Sequence, residues 1–134
     1  VTQPALLLLD TSVFIAREQE RPLEELPAGE TAVSVVTLAE LELGVHMAVD
    51  VETRRRRLDT LSCVRDLYTG LTIDEPVASA FAGLVAHLRQ SGRAARIQDT
   101  WIAATALAHG AAVCTQDEDF QPLAGAHGLR VLRL

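Results

Sequence analysis

Four consecutive leucines, Leu6 to Leu9, stand between Pro4 and the triplet Asp10-Thr11-Ser12. A strand with one wet face alternates apolar and polar residues, whereas an unbroken apolar run of this length needs both faces covered, as in a parallel sheet. Leucine is not a strong strand former, so the reading rests on length and flanks. Parallel strands need a crossover connection, usually a helix, and the rest of the chain supplies one after another. A short helix is expected over Ser12–Arg17, followed by a polar connection, residues 18–30, with one helical turn at Leu23–Leu26. Thr31–Val36 is rich in β-branched residues and reads as a second strand. Thr37-Leu38-Ala39-Glu40 has the form of a capping box and opens a helix to about Ala48, with Leu38, Leu41, Val45 and Ala48 as its apolar stripe.

A longer helix is predicted from Glu52 to Tyr68, with Leu58, Leu61, Val64 and Tyr68 facing inward and Gly70 ending it. Leu71-Thr72-Ile73 is a third short strand. Asp74-Glu75-Pro76 starts another helix, since proline in the first turn removes no needed donor; Val77, Phe81, Leu84 and Leu88 form its stripe and Gly92 closes it. Asp99 opens an alanine-rich helix ending at Gly110; Ala111–Thr115 and Leu129–Leu132 are the last strands, with a helix expected between them. The order β-α-β-α-α-β-α-α-β-α-β implies an α/β fold: a mostly parallel sheet of about five strands between two helical layers.

At 134 residues the chain is read as one domain spanning 1–134, long enough to fold without a disulfide or structural metal. All 12 basic residues are arginine, and this excludes much phosphate chemistry. The P-loop, Schiff-base catalysis and the protein-kinase pattern each need a lysine. The acids number 18, for a net charge of −6, which by itself argues against a nucleic-acid partner. Cys63 and Cys114 are far apart and read as reduced, buried thiols of a cytoplasmic protein. Ala5–Leu9 is too short to span a membrane, and no basic residue precedes it as in a secretory signal.

In open parallel sheets ligands bind beyond the carboxyl ends of the strands, where strand order reverses. Asp10 follows the first strand, Asp117 lies two residues past the fourth, Glu40 is in the first turn after the second, and Asp99 starts the helix leading into the fourth. Singly, each acid has a plainer role: Asp10 and Asp99 as helix caps, Glu40 as the partner of Thr37, Asp117 in an Asx turn. Jointly they would repel one another without a cation. An all-carboxylate set suits Mg²⁺ or Mn²⁺, not zinc, and no histidine stands at ligand spacing. Asp119 is a further candidate ligand, and Thr11, Ser12 and Thr115 are hydroxyls placed to orient the site. Glu42 would point away from Glu40 on the same helix.

Asp10-Thr11-Ser12, Thr37-Leu38-Ala39-Glu40-Leu41, Asp99-Thr100-Trp101-Ile102-Ala103-Ala104-Thr105-Ala106 and Thr115-Gln116-Asp117-Glu118-Asp119-Phe120 resemble, in order and spacing, the PIN-domain ribonucleases, and more narrowly the VapC toxins of bacterial toxin–antitoxin pairs. The resemblance runs along nearly the whole chain, with little signature over residues 50–75. It implies a three-layer α/β/α fold and an endoribonuclease whose Asp10, Glu40, Asp99 and Asp117 bind one or two Mg²⁺ or Mn²⁺ ions. The ions would activate water for phosphodiester hydrolysis, leaving a 5′-phosphate and a 3′-hydroxyl. It also implies an inhibiting VapB-type antitoxin, a homodimer, and operator DNA bound only through the antitoxin. Arg89, Arg93 and Arg96, near the expected site, are RNA-backbone candidates, while Arg54–Arg57 point all round their helix and read as solvated. Trp101 is expected to pack rather than stack on a base. The competing reading is a catalytically silent interaction module on the same fold; dehalogenase-like phosphatases and response-regulator receivers need a lysine that is missing.

Overall fold

A computed structural model describes residues 5–134; the break expected at Pro4 lies outside the described residues. In chain order the strands are β1 (Ala5–Leu9), β2 (Gly29–Ser34), β3 (Thr69–Leu71), β4 (Ala112–Thr115) and β5 (Val131–Arg133). The helices are α1 (Thr11–Glu18), α2 (Val35–His46), α3 (Val51–Leu67), α4 (Glu75–Ser91) and α5 (Ile97–Ala108). The sheet order is β3-β2-β1-β4-β5, and every pairing is parallel.

The leucine run lies in the centre of the sheet, and its alternation is between two buried faces. Leu8, with Ala32 and Val113, packs against Val77, Leu84 and Leu88 of α4 and Ile102, Ala103 and Ala106 of α5. Leu7 and Leu9, with Val33, Ala112 and Cys114, pack against Phe14 of α1, Leu41 of α2 and Leu61 and Val64 of α3. Leu7, Leu8 and Leu9 are at most 1% exposed, and each such side chain contributes about 1.5–3 kcal/mol on removal from water. Trp101 packs as expected, its ring stacked 3.7 Å from that of Phe81. None of the helices among the described residues is long and apolar enough to cross a membrane.

Several local expectations are corrected. Helix α2 starts at Val35, not Thr37, because the buried Ser34 caps it by accepting from the Val36 N–H at 3.0 Å; no Thr37–Glu40 capping box forms. Strand β3 sits two residues earlier than expected. Tyr68 already turns extended after α3, and Gly70 lies inside the strand, where a Cβ would press within 3.1 Å of Leu38. Helix α5 begins at Ile97 with Arg96 at its N-cap, so Asp99 is not the cap. Two short 3-10 turns, Glu118–Phe120 and Ala126–Gly128, replace the helix expected between β4 and β5, since Pro122, Gly125 and Gly128 interrupt that segment. No helical turn forms at Leu23–Leu26. Leu58 is exposed on α3, and so is Cys63, because only Leu61 and Val64 of that helix are buried. Cys114 is buried as expected, and burial pushes its thiol up to about 11.

Candidate active site

Strand order reverses at β1: β2 and β3 lie on one side of it, β4 and β5 on the other. The crevice beyond the carboxyl ends of β1 and β4 is the ligand position of such sheets. Asp10 follows the last residue of β1 there, with its N–H donating to the Cys114 carbonyl at 2.9 Å. It also caps α1, so its plainer role and its place in the site coincide.

Asp10 is 2% exposed and is held from both sides on one oxygen. Its Oδ2 accepts from Ser12 Oγ at 2.7 Å and from Thr115 Oγ1 at 2.9 Å. Each hydroxyl then accepts in turn from the loop after β4: Ser12 Oγ from the Gln116 N–H and Thr115 Oγ1 from the Asp117 N–H, both at 3.0 Å. The two hydroxyls therefore tie the carboxylate of β1 to the backbone that carries Asp117. All these bonds fall on Oδ2, and among the described residues Oδ1 takes none, leaving it for another ligand.

Glu40 reaches the same crevice from α2. Thr11 Oγ1 donates to Glu40 Oε1 at 2.7 Å and lies 3.2 Å from Thr37 Oγ1, so the residue expected to cap Glu40 instead supports its partner. A cavity of about 170 Å³ is lined by Asp10, Thr11, Ser12, Glu40 and Asp117 together with Ile15, Arg21 and Arg96. Asp99 does not line it. The Arg96 side chain lies over Asp99, with Nε 2.9 Å from Oδ2 and Nη2 3.1 Å from Oδ1. Asp119 is exposed and only 3.6 Å from Arg96 Nη2, at the rim rather than within. Arg89 and Arg93 are exposed and line no part of the cavity.

The carboxylates interact. Burial raises Glu40, Asp99 and Asp117 above the ordinary carboxylate range, and the charge of Asp10 adds to the rise at all three. The Thr11 hydroxyl offsets part of it at Glu40, and the Arg96 guanidinium does so at Asp99. A concave site whose acids are pushed upward by burial and by one another is a candidate for chemistry. Its donors are all oxygen, which fits a hard divalent cation. As they stand, no three Asp, Glu, His or Cys side chains among the described residues are gathered closely enough to hold a metal ion.

Arg21 was not foreseen at the site. Glu20 turns the chain with φ 57°, the Arg21 N–H returns to the Ala16 carbonyl at 2.8 Å, and Gln116 Nε2 donates to the Pro22 carbonyl at 2.8 Å. These contacts pin the segment across the crevice, and a lone arginine in a polar connection gave no periodic signal of it. A larger groove of about 490 Å³ between α1 and α3 mixes Glu18 and Glu20 with Arg56 and Arg57 and gathers no set of like groups.

Comparison with known proteins bears on the fold and the family. The PIN domain model matches residues 7–126. "Ribonuclease VapC5" of Mycobacterium tuberculosis is 47% identical over 134 residues, covering 99% of this chain and 98% of the relative. "Ribonuclease VapC4" of the same organism is 49% identical over 114 residues, 84% of this chain and 87% of the relative. The solved structure of VapBC-5, a member of the VapBC family of toxin–antitoxin systems from Mycobacterium tuberculosis, superposes with a TM-score of 0.88 at 45% identity, over 98% of this chain and 100% of that one. FitAcB from Neisseria gonorrhoeae superposes with a TM-score of 0.75 at 28% identity, over 94% and 96%. With acids at the ends of β1 and β4 and a family model spanning most of the fold, the chain belongs to the PIN-domain family.

Proposed function

We propose that this protein is a divalent-metal-dependent endoribonuclease and the toxin of a toxin–antitoxin pair, with residues 1–134 acting as one domain in the cytoplasm. The observation that carries the reading is the carboxylate Asp10, fixed by Ser12 and Thr115 at the point where strand order reverses, with Glu40 and Asp117 in the same cavity. Its support among relatives is that two of them, 47% and 49% identical to this chain, are named ribonucleases.

Asp10, Glu40, Asp99 and Asp117 would hold one or two Mg²⁺ or Mn²⁺ ions, with Asp119 at the rim as a further ligand. Bound there, the metal supplies charge relief for the phosphodiester and a more acidic water. The chain's own part is positioning. Ser12 and Thr115 keep Asp10 in one orientation, so its free oxygen meets a ligand without reorganisation. Thr11 does the same for Glu40. Arg21 and Arg96, which line the cavity, would meet substrate phosphates, and Arg89 and Arg93 the flanking backbone.

The relatives solved as VapBC and FitAcB complexes support an antitoxin partner for this chain as well. Leu43, Met47, Val49 and Val51, from the end of α2 to the start of α3, are 59%, 67%, 95% and 85% exposed and would be covered by that partner or by a second copy. Operator DNA would be bound through the antitoxin.

The experiment is to induce the protein and map new RNA 5′ ends across the transcriptome, then repeat with Asp10→Asn. New ends that appear with the wild type and vanish with the variant are expected. Ends that persist in Asp10→Asn overturn the catalytic assignment and favour a silent interaction module.

A further inference from the structure

Arg96 breaks a local rule. It is the N-cap residue of α5, a position that favours Ser, Thr, Asp or Asn because a short side-chain oxygen accepts from the free N–H groups. An arginine offers no acceptor there, forms no side-chain cap bond, and brings positive charge to the positive end of the helix dipole. Such departures from local preference tend to sit at functional positions.

The side chain folds over the first turn and takes both oxygens of Asp99, at 2.9 and 3.1 Å. The two partners differ in exposure: the Asp99 side chain is 1% exposed and that of Arg96 56%. As a result Arg96, not Asp99, faces the cavity beside Asp10, Glu40 and Asp117.

We propose that Arg96 is a resident counter-cation of the site, which a divalent ion must displace from Asp99 before the site can load. The proposal rests on the metal-dependent reading above. A buried carboxylate is costly when unpaired, and the guanidinium fork satisfies it while no metal is bound. A divalent ion could satisfy it equally, but not beside the fork: the Asp99 side chain is 1% exposed, Arg96 stands between it and the cavity, and the two cations repel. Exposure decides which group moves. Asp99 is fixed inside the fold, whereas Arg96 is already half in solvent and can turn outward. Exchanging one cation for another keeps the acidic cluster compensated in both states. Arg96 thereby stabilises the metal-free fold and weakens the affinity of the site for metal.

The test is Mn²⁺ titration of the full chain by calorimetry, for the wild type, Arg96→Gln and Asp10→Asn. Arg96→Gln is expected to bind on the order of tenfold tighter than the wild type, because it has no charge-assisted bond to give up. It should also melt at a lower temperature in EDTA. Affinity equal to or weaker than wild type overturns the proposal. A second measurement needs no variant: the Nε–H resonance of Arg96, protected from exchange in EDTA, should shift and lose protection as Mg²⁺ is added. A signal unmoved at saturating Mg²⁺ overturns the proposal even if Arg96→Gln fails to fold. Asp10→Asn separates the two readings. If it removes Mn²⁺ binding while Arg96→Gln leaves affinity unchanged, only the role of Arg96 fails. If wild type and Asp10→Asn bind alike, or neither wild type nor Arg96→Gln binds, the metal-dependent reading fails with it.

Discussion

Thr115→Val tests whether the site is braced from beneath. Valine matches the shape of threonine and lacks only the hydroxyl, and Thr115 is fully buried at the end of β4. Its Oγ1 donates to Asp10 Oδ2 at 2.9 Å and accepts from the Asp117 N–H at 3.0 Å. A hydrogen bond to a charged group is worth about 1.5–3 kcal/mol, and a polar group left without its partner costs about 1–3 kcal/mol. The second loss is at the low end here, because the Asp117 N–H is only partly buried. The expected destabilisation is therefore about 3 kcal/mol, a large share of a typical total of about 5–15 kcal/mol. For a domain of this size it lowers Tm by roughly 10 °C. Thr115→Ser is the control: it keeps both bonds and loses a buried methyl, at a cost of about 1 kcal/mol. Both variants are unfolded with urea at pH 7.5 in EDTA, so that bound metal does not contribute. The reasoning is refuted if Thr115→Val is within about 0.5 kcal/mol of Thr115→Ser, because the hydroxyl would then hold nothing.

Asp117→Asn should stabilise the metal-free protein at neutral pH. Burial and the charge of Asp10 raise the Asp117 carboxyl in the fold, so its stabilising contribution is present below its unfolded pKa and is lost as pH rises through the folded one. The variant should match the wild type near pH 3.5 and exceed it at pH 7.5 by at most about 1 kcal/mol after solvent screening; a gain that instead grows toward low pH refutes the sign. Phe120→Ala should cost about 3–5 kcal/mol in chemical denaturation, since Phe120 is 0% exposed and anchors the turn that follows Asp117; a loss below about 1 kcal/mol would mean the loop is not held by that ring.

The central strands and α4 were legible because local and global signals agree there. Leu6–Leu9 are apolar throughout because both faces are covered, and Asp74 and Gly92 cap α4 at either end, the glycine in the left-handed conformation at φ 66°. The boundary between β2 and α2 was not legible. Val35 and Val36 read as strand by β-branching, yet Ser34 at the sheet edge can cap a helix as soon as the chain leaves the sheet. The placement of Asp10, Glu40 and Asp117 around one cavity followed from strand-end positions alone. The retreat of Asp99 behind Arg96 did not, although the two stand three residues apart, the spacing of neighbours on one helix face. Arg96 was placed near the rim by proximity in sequence; that it would close over an acid depended on which residue became the cap. Cys63 was expected inside because free cysteines are mostly buried, but α3 offers the core only a narrow stripe.

The bond from Thr115 to Asp10 spans 105 residues of chain, and β4 enters the sheet beside β1 only after every other helix and two other strands have been made. A single domain folds as a unit, and pairings between segments far apart in sequence form late because closing the long loop costs entropy first. Packing between neighbours in sequence, such as α2 against α3, can form early, but Asp10 meets Thr115 only once β4 has docked beside β1. The crevice is thus assembled only with the sheet as a whole. A chain that has formed its local helices but has not yet paired β4 with β1 therefore presents no braced carboxylate at the crevice.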